Sequence, residues 1–298
     1  MVVRGTIPAM TTATASVALG ASGEIWPALG LGTWRLGESA AAADAEAGLL
    51  RDSVDIGYRV FDTAEMYGEG GAEKVLGRAL NDAMRSHAVR REQLHVVSKA
   101  YPHHADVAGL RKACDASRRR LQLDTIDLYL LHWRGDTPLA ETLEGFERLQ
   151  ASGAIRHWGV SNFDVDDMNE LSRLKSGNAC AADQVYYSAS ERGVEFDLLP
   201  WLREHGNALM AYCPIDGGRI TSDAKLKQLA ASHGVSAAQL ALAWLLRQPQ
   251  VMAIPKAGRK AHLLDNWNSQ QLRLPDAAWL SLEALYPKPK RKRPLAMR

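Results

Sequence analysis

The amino-acid sequence predicts a single (β/α)8 barrel, and three observations carry that prediction. Eight short runs of β-branched, aromatic and aliphatic residues alternate with helical patterns, successive strands starting roughly 25 to 45 residues apart, the size of repeated strand-crossover-helix units. Several of these runs end on a polar or titratable residue, as parallel strands do when they deliver side chains to one rim. The open doubly wound sheet, which alternates in the same way, lacks its dinucleotide fingerprint. At Gly30-Leu31-Gly32-Thr33-Trp34-Arg35 the third glycine position is arginine, and Gly68-Glu69-Gly70-Gly71-Ala72-Glu73 ends in glutamate.

Taken in order, residues 1–15 read as a flexible N-terminal extension, Thr/Ala-rich and without a cleavable hydrophobic segment. Apolar runs at 16–19 and 25–27 flank Gly20-Ala21-Ser22-Gly23, the pattern of a β-hairpin that precedes the main architecture and is placed to plug one end of it. The first barrel strand is expected over 28–34 and the first helix over 39–56. The second strand ends at Phe61-Asp62, followed by Tyr67 beside a glycine and a helix from 72. Strand 94–99, helix 106–121, strand 126–132, helix 139–151, strand 154–160 and helix 166–174 follow. Then come strand 181–187, helix 197–205, strand 208–212, helices 224–233 and 236–247, strand 251–254 and a helix over 260–268. Pro275 opens a last helix over 276–285. The barrel thus occupies 16–287, and 288–298 is a basic C-terminal tail expected to be solvated.

Composition narrows the function. The 298 residues are 46% hydrophobic, enough for one large core, and the formal charge of +2 comes from interleaved acids and bases, which provides no broad field for nucleic acid. No apolar run reaches the roughly 20 residues of a membrane span. Cys114, Cys180 and Cys213 have neither disulfide nor zinc spacing, so no metal is expected and a reducing cytoplasm fits.

At the predicted rim, Asp62, Lys99 and His132 end neighbouring strands and Tyr67 follows in a loop. Singly, each has a structural explanation, but together they pose a problem in proton transfer. A phenol has a pKa of about 10 and must be made to donate near neutral pH. An ammonium about 4 Å away contributes on the order of 4 kcal/mol at an effective dielectric near 20. Lys99, steadied by Asp62, is therefore expected to pull the Tyr67 pKa down, while His132 hydrogen-bonds the same oxygen. Such a set suits protonating a carbonyl oxygen as hydride reaches its carbon.

Over nearly the whole chain the residues resemble the aldo-keto reductase family. The motifs are Gly30-Leu31-Gly32-Thr33-Trp34, Phe61-Asp62-Thr63-Ala64-Glu65-Met66-Tyr67-Gly68, Val97-Ser98-Lys99 and Leu130-Leu131-His132-Trp133. Further along they are Gly159-Val160-Ser161-Asn162-Phe163, Asp183-Gln184-Val185, Tyr212-Cys213-Pro214-Ile215 and Ile254-Pro255-Lys256-Ala257. The resemblance implies Tyr67 as general acid, Asp62 and Lys99 as its tuners and His132 as the substrate-orienting group. It implies a nicotinamide cofactor bound across the barrel mouth, with Ser161, Asn162 and Gln184 on the carboxamide and Tyr212 stacked on the ring. Thr33, Pro214, Ile215 and Arg219 join the expected cofactor contacts, with 215–219 along the pyrophosphate.

In the eighth-strand loop the sequence departs from the family. Where NADPH-preferring members carry serine and arginine for the 2′-phosphate, this chain has Ala257 and His262, while Lys256 and Asn266 match and Asp265 replaces a usual glutamate. Lys256 with a neighbouring cation, Arg259 foremost, still favours NADPH over NADH. Asp183 stands where many members have asparagine. Trp34 and Trp133 are expected as substrate-pocket walls. Without a long C-terminal loop, the pocket is expected to be open and to take aldehydes and ketones broadly, in a cytoplasmic monomer. Two rival readings keep the barrel: a Schiff-base aldolase using Lys99, and a non-catalytic subunit that senses NADP(H).

Overall fold

The structure, a computed structural model, describes residues 15–298, so the expected extension up to residue 14 lies outside the described residues. An antiparallel hairpin, β1 (Ser16–Leu19) and β2 (Glu24–Pro27), precedes eight parallel strands: β3 (Leu31–Gly32), β4 (Val60–Asp62), β5 (His95–Ala100), β6 (Ile126–Leu131), β7 (Ile155–Ser161), β8 (Ala182–Tyr186), β9 (Ala208–Tyr212) and β10 (Val251–Ala253). Each strand pairs with its neighbours in sequence order. The ring closes where Gly30 N–H donates to Ala253 O at 2.9 Å and Ala253 N–H to Ala28 O at 2.8 Å. This is the predicted (β/α)8 barrel.

Between and after the strands run α1 (Ala43–Ile56), α2 (Gly71–Arg85), α3 (Val107–Leu121), α4 (Leu139–Ala151), α5 (Val165–Ser172), α6 (Leu198–Glu204), α7 (Ala224–Ser232), α8 (Ala237–Leu246), α9 (Lys260–Asn268) and α10 (Asp276–Leu285). Their starts follow capping chemistry. Asp106 and Asp223 accept backbone N–H groups at the heads of α3 and α7, and Asp164 and Ser236 form capping boxes with Asp167 and Gln239. The first expected helix begins four residues later than 39 because Ala42 N–H bonds to Ser39 O in a turn. The first expected strand shrinks to two residues plus a bridge at Leu29. There β3 lies so close to the last strand that a Cβ on Gly32 would stand 2.9 Å from Ile254 O. No single helix among the described residues is long and apolar enough to cross a membrane.

Two apolar clusters result. One lies between strands and helices. The other fills the barrel interior with Val60, Val97, Leu128, Leu130, Ala182, Met210, Met252 and Ile254, and Val17, Leu19 and Trp26 of the hairpin close its bottom. Trp26, with no exposure, stacks on His95 at 4.4 Å, so the hairpin is the plug its position suggested. Strand side chains alternate with period two, and this fixes what the mouth contains. Above Val60 comes Asp62, above Val97 Lys99, above Leu130 His132, above Ala182 Gln184 and above Met210 Tyr212. The inward face is apolar until its last layer, which is polar.

The basic tail keeps its charges exposed, as expected of a solvated end, but it runs along the surface beside acids. Lys288 lies 3.7 Å from Glu195, Lys292 lies within 3.5 Å of both Asp166 and Asp197, and Leu295 packs against the apolar core. The acids it meets sit on loops and helices after β7 and β8, distant in sequence, and local composition carries no sign of them.

Candidate active site

At the mouth, Lys99 is fully buried and its ammonium donates to Asp62 Oδ1 and Oδ2 at 2.8 and 2.9 Å, to Thr63 O at 2.8 Å and to Tyr67 Oη at 3.1 Å. Gln184 Nε2 adds a bond to Asp62 Oδ2 at 2.7 Å. Thr33 N–H and hydroxyl both donate to Asp62 O, at 2.9 and 3.0 Å, fastening the strand end that carries the acid. Thr33 is completely buried and does not line the cavity. The four residues expected at neighbouring strand ends are therefore brought together, with the Tyr67 and His132 rings 5.8 Å apart, edge to face.

Electrostatics overturn one expectation. Burial, with the Asp62 carboxylate second, pushes the Tyr67 pKa well up rather than down. The Lys99 charge is matched by Asp62 in direct contact, so the phenol faces a neutral pair inside a low-dielectric site, and desolvation decides. Burial also lowers Lys99 itself, opposed by Asp62. His132 is driven down to about 2 by burial and then by Lys99, so its imidazole is neutral. Its Nδ1 has no protein partner among the described residues.

A cavity of about 780 Å³ opens above this cluster. Its walls include Trp34, Asp62, Tyr67, His132, Ser161, Asn162, Gln184, Tyr212, Pro214 and Ile215, and at its far end Lys256, His262, Asp265 and Asn266. Ser161 Oγ donates to Gln184 O at 2.8 Å. Asn162, held at φ +59°, donates through Nδ2 to His132 O at 3.1 Å and accepts the Tyr212 hydroxyl at 2.9 Å. One aromatic face with a hydroxyl and two amides beside it fits a planar carboxamide-bearing heterocycle such as nicotinamide. At the far end Arg259 donates to His262 Nε2 at 2.8 Å, and Ser236 Oγ, at the head of α8, donates to Asp265 at 2.6 Å.

Some expected residues lie elsewhere. Trp133 does not line the cavity; it packs against His132 at 4.9 Å and perpendicular to Tyr101 at 6.0 Å, which leaves Trp34 as the tryptophan wall. Ala257 is buried behind the loop, and Arg219 reaches Asp216 from outside the cavity wall. Asp183 is completely buried behind the rim, and burial pushes its pKa well above the usual carboxylate value, opposed by a backbone hydrogen bond from Phe163. Sequence reasoning missed Met66, Lys227, Ser236 and Arg298 as cavity residues. Ser236 opens the helix expected over 236–247, and nothing in that pattern says what its head would face.

With this geometry in hand, comparisons with known proteins are specific. A model of the aldo/keto reductase family matches residues 28–287. Methylglyoxal reductase YeaE of Escherichia coli is 44% identical over 276 residues, covering 91% of this chain and 95% of that protein, and glyoxal reductase of Bacillus subtilis is 31% identical, covering 80% and 82%. An aldo-keto reductase from Klebsiella pneumoniae, crystallised in complex with NADPH, superposes with a TM-score of 0.90 at 44% identity, covering 96% of this chain and all of that one. The chain therefore belongs to the aldo/keto reductase family.

Proposed function

We propose that the protein is an NADPH-dependent reductase of small reactive carbonyls, with 2-oxoaldehydes of the methylglyoxal type foremost. One observation carries the chemistry: Lys99 donates to Tyr67 Oη at 3.1 Å. An ammonium has donors only, so this contact leaves the phenolic hydrogen unspent at the cavity wall. The Klebsiella relative binds NADPH, and the Escherichia coli and Bacillus relatives are named for methylglyoxal and glyoxal. Those names, together with a cavity walled by Trp34, favour a short, polar carbonyl compound.

NADPH supplies the hydride that reaches the carbonyl carbon. This chain's residues handle the proton. Tyr67, kept protonated by burial, holds its hydrogen toward the carbonyl oxygen and releases it as that oxygen acquires alkoxide character, a base far stronger than phenolate. A depressed phenol pKa is not needed for this. Lys99 stabilises the phenolate left behind, and Asp62 and Gln184 keep the ammonium in place. His132, neutral across the physiological range, orients the carbonyl by hydrogen bonding without adding a charge. Ser161, Asn162, Gln184 and Tyr212 seat the nicotinamide. Lys256 and His262 on the cavity wall, with Arg259 beside His262, would hold the 2′-phosphate, Arg259 supplying the cation that position 262 lacks.

The Schiff-base reading loses its footing, since Lys99 is fully buried and does not line the cavity. A purely sensing barrel has no use for four competent groups placed in contact. The unpaired Cys114, Cys180 and Cys213 suit a reducing compartment such as the cytoplasm.

Tyr67→Phe tests the assignment. Loss of a positioned general acid is expected to lower kcat for methylglyoxal reduction by about 10²- to 10⁴-fold, with the NADPH dissociation constant, read by protein fluorescence, unchanged. Undiminished turnover would reject Tyr67 as the acid.

A further inference from the structure

The tail does more than lie on the surface. Tyr286 Oη donates to Asp223 Oδ2 at 2.8 Å, Lys292 pairs with Asp166 and Asp197, and the chain then turns into the cavity mouth. There the Arg298 N–H donates to Tyr212 Oη at 3.3 Å, and its guanidinium donates to Asp216 Oδ1 at 2.9 Å. The guanidinium lies close over Gly217, whose position for a Cβ is 3.0 Å from it.

Asp216 is the hub of these contacts. Asp216 receives Arg219 through Nε at 3.0 Å and Nη2 at 2.8 Å, the Tyr186 hydroxyl, and Arg298. Burial works against its ionisation, but the hydrogen bonds from Arg219 and Tyr186 prevail and hold its pKa below the usual carboxylate value. One carboxylate thus faces two guanidinia beside Gly217 and Gly218, the stretch along which the cofactor's diphosphate is expected to run. Asp216 engages one corner of the Arg298 guanidinium, and a planar fork of five N–H donors has others left for phosphate oxygens.

Resting on the NADPH reading, we propose that Arg298 is a cofactor-binding residue, delivered by the tail and fixed by Asp216 so that its guanidinium meets the pyrophosphate over the 216–218 turn. The tail then acts as a tether: Lys292 and Leu295 set the path that brings one cation to one phosphate pair. Nothing in the motifs around the barrel mouth encodes this contact, because it comes from the chain segment most remote from them.

The test compares Arg298→Ala with wild type in the full chain, using NADPH and adenosine 2′-monophosphate, which shares the 2′-phosphate but lacks the pyrophosphate. Both are titrated by protein fluorescence. NADPH is expected to bind about tenfold more weakly and to dissociate faster in stopped flow, with adenosine 2′-monophosphate unaffected; Arg298→Lys, which keeps the charge without the fork, should fall between. Unchanged NADPH affinity overturns the proposal. Tighter binding overturns it too, since the side chain would then be standing in the cofactor's path, and so does equal weakening of both ligands, since the loss would not be specific to the pyrophosphate. Failure of the wild type to bind NADPH would strike the functional reading itself, a distinguishable result.

Discussion

The two ends of this cavity are built on opposite principles. At the strand ends, Asp62, Tyr67, Lys99 and His132 are each under a tenth exposed and joined by direct contacts. At the far end, Lys256, Arg259 and His262 are exposed on a loop and the head of α9. Buried charges must be paired and positioned, because desolvation costs several kcal/mol per unpaired ion. Exposed charges are screened and exchangeable, worth about 0 to 1 kcal/mol per pair. On the proposed assignment, the chemical step would therefore depend on residues that tolerate little replacement, while the choice between cofactors would be left to cations that can be supplied from more than one position.

The sharpest way to break this comparison is Lys99→Met. Removing the ammonium leaves Asp62 buried with only Gln184 Nε2 as a side-chain partner, and a stability loss of about 3–5 kcal/mol is expected in chemical denaturation. Adding Asp62→Asn should restore part of that loss without restoring turnover. The matching change at the exposed end, Arg259→Ala, should cost less than about 0.5 kcal/mol. Equal costs at the two ends would show that burial does not separate them.

A second effect tests the strand ends by pH. In the folded chain His132 resists protonation down to about 2, whereas the unfolded chain takes up that proton near 6.5. The unfolded state therefore binds more protons below pH 6.5. The stability that His132 contributes is complete above that pH and falls as pH drops, by up to about 1.4 kcal/mol per unit. His132→Gln should make the acid side of the stability profile shallower by one proton's worth. A wild-type slope retained in His132→Gln would mean that the imidazole is not held neutral by the fold.

What the sequence made legible follows the same division. Asp62, Lys99 and His132 were readable because a period-two strand with an apolar interior must turn polar at its last inward position, and Tyr67 lay one short loop away. The direction of the Tyr67 shift was not, since it is the resultant of burial and a matched ion pair, and both depend on packing between β4 and β5. Trp133 was misplaced for a related reason: residues past a strand end no longer follow the alternation, and this one turned sideways onto Tyr101. Arg298 was invisible because a run of lysines and arginines reads as solvated until Asp166, Asp197 and Asp216 are folded beneath it.

The smallest expected effect sharpens the comparison most, because it asks whether the exposed end is as replaceable as its physics implies. Arg259 already donates to His262 Nε2 at 2.8 Å, so a cation stands next to the position where one is missing. His262→Arg would place a second guanidinium beside the first. Attraction to a phosphate dianion would grow, but mutual repulsion and solvent screening would remove much of the gain. We therefore expect the ratio of NADH to NADPH dissociation constants to rise only about three- to tenfold, corresponding to about 1 kcal/mol, with kcat unchanged. The double variant Arg259→Ala/His262→Arg should return close to the wild-type ratio, since one cation has merely moved. A hundredfold rise in the single variant would instead mean that position 262 sits in a desolvated, geometrically fixed phosphate pocket, and the far end of the cavity would then have to be classed with the strand ends.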